Sequence, residues 1–560
     1  MPIRRALLVL SAVLVLWAAW VAITGGVTVP VSSHDPVRPL LLAAIVGAAY
    51  IAAYRQYWRS DLEALVHAPW PRVIVVLGVS AAFLVGIEQA AFIAGGPDVS
   101  GYVSQADRWV RGEVTSPIPE WAQNAPWAGA ALSATPVGYT ADPSSSRMVP
   151  VYSPGLPLMM AGFERVGGAD AVFYVVPVFG ALTIWITYAL GRMMAGPWAG
   201  AVAALLMLVS PPFLWMLVEP MSDVPAAACW SAAVLFAWRP RWRDAVIAGL
   251  ASAAAILVRP NTVPLAIVPA LLLLSRSDAR ISRSIAFALA VVPSALVIAA
   301  LNTRWHGSVL KSGYGSLEML YSMSNLLPNV RLYGGWFIAT QTPLAFLWLA
   351  APYVLRERSA DRRRLLLVSI VYPAAVFAMY ATYLTWRDWL YLRFLLPAFP
   401  ATCASLAAVF VAFTREVRPR RLALAGVIAV TASMTIQQLR FTSDTGFLGH
   451  KAFDQRFARA VDFALRLPTN AILVSKGYSG TLGFYTGRDV LRWEALAPDR
   501  IDKALVYLRD RGHTLYFIGD PAEGDDFKSY FADTDAARRF DMERIGDVSY
   551  GFVAANLTPR

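Results

Sequence analysis

The chain has 560 residues, of which 57% are hydrophobic and only 15% are charged, and its mean hydropathy is +0.50. A soluble protein of this size does not tolerate such a composition, so a polytopic membrane protein is predicted. The net charge of +12 comes from short arginine clusters between apolar runs, which excludes a nucleic-acid-binding face, and two cysteines in separate apolar segments exclude a disulfide framework or a thiolate metal site.

Membrane-spanning helices are predicted along most of the chain, about thirteen in all, because a crossing needs about 20 apolar residues. The first apolar run has the length at which a signal peptide and a retained anchor look alike, and a retained anchor is favoured. Two spans, 244–258 and 262–275, are short, as in broken or re-entrant helices. The predicted spans are 6–23, 39–54, 73–94, 170–190, 196–217, 223–238, 244–258, 262–275, 284–301, 335–355, 365–384, 394–413 and 422–438.

Arginine clusters occur in every second connection between these spans, at residues 4–5, 55–72, 192, 239–243, 276–283, 356–364 and 415–421. Short cytoplasmic loops carry the excess of Lys and Arg, so these connections are predicted to be cytoplasmic. The outer face then carries a long first loop (95–169), the turns 218–223, 259–261 and 385–389, the loop 302–334 and everything after about residue 438. We expect a transmembrane domain over 1–438 and an extracytoplasmic domain over 439–560.

The last part of the chain is polar and alternates between helical and strand patterns. FDQRFARAVDFAL and APDRIDKALVYLRDRG are typical of amphipathic helices, whereas AILVSK and HTLYFIGD are typical of buried strands. Such alternation predicts a small α/β domain with a largely parallel sheet. Its glycine-rich stretch GYSGTLGFYTG lacks the spacing of a phosphate-binding loop.

The first outer loop is rich in aromatic residues, namely Trp109, Trp121, Trp127, Tyr139 and Tyr152, which suit helices lying in the membrane interface. An acid, Asp98, begins this loop where an apolar run ends. Further motifs follow in order along the predicted outer face: DVSGYVSQADRWVRG (98–112), YSPGLPLMMAG (152–162), VEPMSDVPAA (218–227), RPNTVPLA (259–266) and YLRFLLPAFP (391–400).

This series resembles the GT-C superfamily of membrane glycosyltransferases, particularly the family 39 protein mannosyltransferases and the lipid A aminoarabinose transferases. The likeness covers most of the chain from about residue 73 on and lies in the order, spacing and sidedness of the motifs. It implies a polytopic helical enzyme of the bacterial inner membrane, with its active site and a C-terminal α/β domain outside the cytoplasm. It also implies transfer of a sugar from a polyprenyl-phosphate donor, with inversion at the anomeric carbon.

The resemblance implies that Asp98 is the catalytic general base, since attack by a hydroxyl needs a proton acceptor within reach. Glu219 and Asp223 are candidates for a second catalytic acid on the next outer turn. If the enzyme uses a divalent cation, Asp98 and Asp223 would offer the oxygen ligands that suit Mg²⁺ or Mn²⁺. An equal alternative for Asp223 is helix N-capping within the sequence SDVP.

The leaving group of such a reaction is a phosphate, whose charge must be held where it develops. Candidate donors are Arg393, Arg259, His306 and Lys311, with Arg393 preferred because a guanidinium binds phosphate with two hydrogen bonds. Snorkelling at a helix end is the competing interpretation of Arg393. Tyr102 and Tyr152 are expected to contact substrate from the first loop.

The acceptor is predicted to be a glycan or a lipid, because the loop begins PDVSGY and lacks the adjacent acidic pair of the protein-mannosylating members. The competing function is a transporter or flippase of lipid-linked sugars. A transporter should show internal symmetry and charged residues near the membrane midplane, whereas the acids of this chain cluster near the predicted outer boundary.

Overall fold

The computed structural model describes residues 37–58, 60–61, 69–142, 144–275, 280–356, 361–545 and 551–559, together with residues 7, 10–11, 14, 27–29 and 31–33. Most of the predicted span 6–23 lies outside the described residues, as do Arg4, Arg5, Arg59, Arg276 and Arg358 of the arginine clusters. The chain divides into two compact units, residues 1–73 and 74–560.

The first unit contains an apolar helix, Val37–Tyr54, and a small antiparallel hairpin formed by Val27–Val29 and Val31–Ser33. The hydroxyl of Ser11 donates a hydrogen bond to the carbonyl oxygen of Ala43 at 3.0 Å. Near the C-terminal end of the helix Val37–Tyr54, the hydroxyl of Tyr50 donates a hydrogen bond to Asp61 Oδ2 at 3.1 Å. Residues before and after the predicted second span therefore form hydrogen bonds with it.

In the described part of the chain, seven helices are long and apolar enough to cross a membrane, or up to nine if two bent pairs each count as one span. The seven are Leu40–Tyr57, Trp70–Glu88, Ala169–Ala195, Arg280–His306, Arg362–Ala381, Trp389–Glu416 and Arg420–Asp444. The bent pairs are Pro197–Leu208 with Pro211–Val218 and Met323–Gln341 with Pro343–Val354. Every predicted span after residue 38 overlaps helical residues, which confirms a multi-pass membrane protein, while the number of crossings stays a prediction.

Proline explains both bends. The first pair is bent by 63° where Pro211 and Pro212 begin the second helix, and the second is bent by 102° at Pro343. Proline has no N–H to donate and disfavours helical backbone in the residue before it. Thr342, directly before Pro343, has a φ of 69°.

The helix Asp223–Trp238 lies at the centre of the second unit and is buried on all sides. It packs against Val175–Ala195, Trp242–Val258 and the 3-10 helix Trp389–Ala398. Alanines at 226–228, 232 and 233 let these neighbours approach closely, as small residues do in membrane bundles. The buried Trp230 donates its indole N–H to Thr262 Oγ1 at 2.9 Å, which ties the central helix to the 3-10 helix Pro260–Ala266. The apolar helix Ile267–Leu274 follows.

The first loop is folded. It contains the helices Gly96–Val110, Glu120–Gln123, Ala130–Ser133 and Gly155–Gly167. A three-stranded antiparallel sheet has the order Ser116–Pro117, Arg147–Pro150, Tyr139–Ala141. The two longer helices, at the start and the end of the loop, pack against each other. The later loop 302–334 contains the short strands Lys311–Ser312 and Gly315–Ser316 and the helix Leu317–Leu320.

Both predicted C-terminal strands are present, in a four-stranded sheet of order Val553–Asn556, Thr514–Gly519, Ala471–Val474, Val490–Leu491. The last three strands are parallel and Val553–Asn556 is antiparallel. The accompanying helices are His450–Leu465, Ser479–Thr486, Ile501–Arg509, Pro521–Tyr530 and Asp535–Met542. The helix Arg420–Asp444 continues past residue 438, and residues 74–560 form one compact unit, so a domain boundary at 438/439 stays a prediction.

The interfacial role predicted for the loop tryptophans is wrong for Trp121 and Trp127. Both are buried in a core shared with the C-terminal sheet and helices. Trp121 donates its indole N–H to Asp489 Oδ2 at 3.0 Å, and the ring of Trp127 lies edge-on to Tyr507 at 5.3 Å. The first loop and the C-terminal region therefore form one structure around a common apolar core.

Candidate active site

Asp98 lies in the first turn of the helix Gly96–Val110. Gly95 is extended, Gly96 has a φ of 72° and Pro97 occupies the start of the helix, which explains why the apolar run ends abruptly here. The carboxylate of Asp98 accepts a hydrogen bond from the hydroxyl of Tyr152 at 2.8 Å. The partly positive helix N-terminus also favours an acidic side chain at this position.

Tyr152 reaches Asp98 because residue 101 is glycine. A Cβ on Gly101 would lie 2.1 Å from Cε2 of Tyr152 and 2.9 Å from the Cα of Gly138. The Tyr152 ring packs on Tyr102 at 4.5 Å, and Tyr314 of the later loop lies against Tyr152 at 5.7 Å. The tyrosines predicted to contact substrate thus surround the candidate base.

Both tyrosine hydroxyls remain protonated at neutral pH. Burial, together with the charge of Asp98, raises the pKa of Tyr102 to about 12. The same causes, burial first, hold the pKa of Tyr152 well above its usual range. The hydroxyl of Tyr102 also lies near Ser222. Because both hydroxyls keep their protons, neither tyrosine competes with Asp98 for the proton of an acceptor hydroxyl. The two tyrosines lie between Asp98 and the turn before Asp223.

Asp223 is fully buried and forms an ion pair with Arg259, whose Nη2 lies 2.6 Å from Asp223 Oδ1. Arg259 Nε also donates to Ser222 Oγ at 3.0 Å. No side-chain capping bond is formed at the start of the helix Asp223–Trp238, so the capping interpretation of Asp223 is wrong. A buried carboxylate is stable only if it is paired, and Arg259 fulfils that need.

Arg393 is the second cation of this cluster. Its Nε lies 4.0 Å from Asp223 Oδ1, its Nη1 contacts the sulfur of Met221 at 3.4 Å, and its guanidinium lies over the rings of Tyr391 and Phe394. The side chain is directed inward and mostly buried, so the snorkelling interpretation is wrong. Two guanidinium groups thus share the Asp223 carboxylate, and Asp98 is the next negative charge that acts on Arg393.

The cluster also contains polar atoms that have no hydrogen-bond partner among the described residues. They are Arg259 Nη1, Arg393 Nε and Asp223 Oδ2, and all three are buried. Buried donors are nearly always satisfied in native proteins, so the unpaired guanidinium N–H groups are positions where a hydrogen-bond acceptor such as a phosphate oxygen could bind.

Aromatic and amide side chains that sequence reasoning missed form the wall beside the two arginines. Tyr380 stacks on Phe394 at 5.1 Å, Tyr383 meets Phe394 edge-on, and Asn261 donates its amide N–H to the Tyr380 hydroxyl at 3.2 Å. The only signal in the sequence was the position of Asn261 two residues after Arg259. The tyrosines come from the end of an apolar helix, where they are typical of an interface belt.

Other predicted site residues lie apart from this cluster. The carboxylate of Glu219 is 2.9 Å from Nε2 of His450. His306 and Lys311 lie at the end of the helix Arg280–His306 and just after it, and in the described part of the chain neither makes an ion pair with Asp98 or Asp223. A catalytic role for Glu219 and phosphate binding by His306 and Lys311 therefore remain predictions.

Asp98 and Asp223 do not fit a divalent cation as a pair of ligands. Asp223 already faces two guanidinium groups, which repel a metal ion, and Asp98 accepts the hydroxyl of Tyr152. Over the described residues, the ligand atoms of one group of three side chains converge within 4.8 Å, and that group contains neither aspartate. The donor set around Asp223 suits an anion instead.

A cavity of about 540 Å³ lies between the first loop and the C-terminal helix Ser479–Thr486. Its polar lining includes Ser104, Arg108, Gln123, Tyr139, Arg488 and Asp489. Ser104 and Arg108 follow Asp98 on the same helix by roughly two and three turns, which is about 9 and 15 Å at 1.5 Å per residue. A space large enough for sugar rings, lined by both apolar and polar groups, therefore lies beside the helix that carries the candidate base.

Comparison with known proteins supports a sugar-transferring enzyme. A family model described as dolichyl-phosphate-mannose-protein mannosyltransferase matches residues 151–305, which include Asp223 and Arg259. The crystal structure of ArnT from Cupriavidus metallidurans bound to undecaprenyl phosphate is similar with a TM-score of 0.55 at 16% identity, covering 86% of this chain and 98% of that chain. The oligosaccharyltransferase of Archaeoglobus fulgidus in the apo form has a TM-score of 0.50 at 12% identity, covering 82% and 70%.

No curated protein sequence matches the chain significantly. At these identities the solved structures establish the fold, and the family model adds a match over the segment that carries three of the five motifs. The resemblance seen in the motifs, to membrane glycosyltransferases, therefore agrees with the family match over residues 151–305 and with the fold of the two solved structures.

Proposed function

We propose that the protein transfers a sugar from a polyprenyl-phosphate-linked donor to a glycan or lipid acceptor, with Asp98 as general base. The observation that carries this proposal is the buried pair of arginines, Arg259 and Arg393, which have unpaired N–H donors and lie close enough to Asp98 for its charge to act on Arg393. The similar ArnT structure holds undecaprenyl phosphate, which is a ligand of the same chemistry.

In this reaction the acceptor hydroxyl attacks the anomeric carbon of the sugar while Asp98 takes its proton. The new carbon–oxygen bond forms as the bond between the anomeric carbon and the phosphate oxygen breaks. A single displacement of this kind inverts the anomeric centre. The electron pair leaves with the phosphate, and Arg393 and Arg259 hold the charge that develops on it.

Asp223 would act as a positioning residue for Arg259. It holds Arg259 in place through the 2.6 Å ion pair and offsets part of the repulsion between the two guanidinium groups. Tyr152 would orient Asp98 as a neutral hydrogen-bond donor, and Tyr102 would support the Tyr152 ring by packing on it. Because the residues around Asp98 and Asp223 do not fit Mg²⁺ or Mn²⁺, no step of this mechanism is assigned to a metal.

The acceptor would approach through the cavity lined by Ser104 and Arg108, which lie on the same helix as Asp98. Hydroxyl, amide, carboxylate and guanidinium groups in its lining are the partners that sugar hydroxyls need. We place this site on the outer face of the bacterial inner membrane, because the arginine clusters fall on the opposite set of connections.

Replacing Asp98 by Asn tests the proposal. Asn keeps the size and most of the hydrogen bonding but cannot accept a proton, so transfer should fall by roughly 10² to 10⁴, as for loss of a general base. Binding of polyprenyl phosphate should change little, because the two arginines remain. The measurement is the transfer rate and the affinity for polyprenyl phosphate on the same purified protein, with folding checked by size exclusion.

Asp107→Asn is a matched control, since Asp107 lies on the same helix and its carboxylate pairs with the exposed Arg111. An Asp98→Asn variant that transfers sugar like the Asp107→Asn control would remove Asp98 from the base role. Normal transport of lipid-linked sugar without any transfer by the parent protein would favour the flippase instead.

A further inference from the structure

Three side chains that can bind metal converge where the transmembrane bundle meets the C-terminal helix His450–Leu465. Glu219 comes from the turn between Pro211–Val218 and Asp223–Trp238, while His450 and Asp454 are four residues apart on one face of the C-terminal helix. Nε2 of His450 lies 2.9 Å from Glu219 Oε1 and 3.4 Å from Asp454 Oδ2. The three ligand atoms all lie within 4.8 Å of one another.

The arrangement presents more acceptors than donors. One imidazole nitrogen faces oxygens of two carboxylates, and a single N–H can make a well-aligned hydrogen bond to only one of them. A metal ion bound at 2.0–2.2 Å in tetrahedral geometry separates its ligand atoms by about 3.3 Å. The two separations from His450 Nε2, 2.9 and 3.4 Å, bracket this value, and the separation between the two carboxylate oxygens is at most 4.8 Å.

The surroundings hold the three side chains in place. They are largely buried, with side-chain exposures of 9% for His450, 21% for Glu219 and 16% for Asp454. The indole of Trp215 lies edge-on to the imidazole at 5.1 Å, and Arg456 Nη1 lies 3.6 Å from the other carboxylate oxygen of Asp454. Such outer contacts orient metal ligands and leave Asp454 Oδ2 directed at the centre of the group.

We propose that Glu219, His450 and Asp454 bind one Zn²⁺ ion. One imidazole and two carboxylates are ligands that Zn²⁺ accepts, and the imidazole favours Zn²⁺ over Mg²⁺ or Ca²⁺, which prefer oxygen alone. The two carboxylates neutralise the charge of the ion. Three protein ligands leave a fourth position for water.

The ion would fasten the turn that leads to the active-site cluster. Glu219 precedes Met221, which contacts Arg393, and Asp223, which pairs with Arg259. The same helix that carries His450 is anchored elsewhere by Lys451, whose ammonium donates to the carbonyl oxygen of Glu88 at 2.7 Å. The site thus joins the C-terminal region to the turn beside the catalytic cluster and does not depend on which sugar is transferred.

The test measures metal content and stability of the full-length protein in detergent. Chelator-treated protein is dialysed against ZnCl₂ and then against metal-free buffer, and bound zinc is measured by mass spectrometry. We expect one zinc per chain, a melting temperature that rises on adding Zn²⁺, and visible d–d absorption when Co²⁺ replaces Zn²⁺. His450→Ala and Asp454→Asn should each weaken zinc binding by more than about tenfold, the least expected for disturbing a metal's ligand sphere.

Asp462→Asn is the matched control, because Asp462 is exposed on the same helix. It should bind zinc like the parent. If His450→Ala fails to fold, Glu219→Gln keeps the side-chain shape and still removes a charged ligand. Substoichiometric zinc in the parent protein, or equal zinc binding by the Asp454→Asn and Asp462→Asn variants, would overturn the proposal and leave a charged histidine–carboxylate cluster. Tighter binding of Mn²⁺ than of Zn²⁺ would overturn the choice of metal.

Discussion

Single residues determine the charge of the catalytic cluster. Asp223 is one carboxylate shared by Arg259 and Arg393, and only Arg259 is within direct hydrogen-bonding distance. The attraction between the two charges of a buried ion pair roughly offsets the cost of removing them from water. A second buried cation without a full partner lacks this compensation until an anion binds. The phosphate of the proposed donor would supply that missing partner.

Replacing Arg393 tests whether the cluster binds the phosphate of the donor. Arg393→Ala should weaken binding of polyprenyl phosphate, and Arg393→Lys should restore only part of it because an ammonium cannot make two parallel hydrogen bonds to phosphate. Binding is measured by titrating polyprenyl phosphate into purified protein in detergent. If both variants bind it like the parent, Arg393 does not contact the donor.

A second prediction concerns the partner carboxylate. Asp223→Asn leaves the buried Arg259 without a counter-ion, and breaking a buried pair in this way costs about 3–5 kcal/mol. Thermal unfolding should show a clear loss of stability, and added polyprenyl phosphate should recover part of it. Asp107→Asn, which removes an exposed ion pair, should change stability by only about 0–1 kcal/mol. Equal melting temperatures for the two variants would contradict the importance of the buried pair.

At the scale of elements, the helix Gly96–Val110 is positioned by close backbone contacts. Gly101 lets Tyr152 and Gly138 approach, and Gly480 of the helix Ser479–Thr486 leaves room for Ser100. Thr481 Oγ1 donates to the carbonyl oxygen of Ala94 at 2.7 Å, just before this helix begins. Asp98 is therefore held from two sides, by its own loop and by the C-terminal region.

Adding one methyl group at Gly101 tests that packing. Gly101→Ala places a Cβ 2.1 Å from Cε2 of Tyr152, so we expect the ring to move and lose its hydrogen bond to Asp98. We expect a stability loss of about 1–3 kcal/mol from overpacking and a reduced transfer rate. Gly162→Ala is the control, since a Cβ there meets nothing within 4 Å and alanine is the better helix former. An unchanged transfer rate in Gly101→Ala would show that the Tyr152 contact is dispensable.

At the scale of the whole molecule, the proposed chemistry requires that the helix of Asp98 and the C-terminal sheet lie on the same, outer side of the membrane. A reporter that is active only outside the cytoplasm should be active when fused to the C-terminus and silent when inserted after Arg363. The physical reason is the concentration of arginines at 362–364 and in the other alternate connections. A silent C-terminal fusion on a well-expressed protein would contradict the outer location of the site.

Much of the helical architecture was predictable from sequence, because the requirement for apolar helices in a bilayer acts on consecutive residues. The spans around Arg280–His306 and Arg420–Asp444 and the strands Ala471–Val474 and Thr514–Gly519 are examples of this local signal. The candidate residues Asp98, Tyr102, Tyr152, Asp223, Arg259 and Arg393 were also chosen from sequence, through ordered motifs that resemble the superfamily.

What each of these residues touches depended on the tertiary structure, because contacts between distant parts of the chain have no local pattern. Asp223 pairs with Arg259 instead of capping its own helix, and Arg393 turns inward to the same carboxylate. Trp121 is buried against Asp489 instead of lying at the membrane surface, and Glu219 meets His450 more than two hundred residues away. Hydropathy determines which segments enter the membrane, whereas the pairing of buried polar groups is decided only when the packed helices bring their partners together.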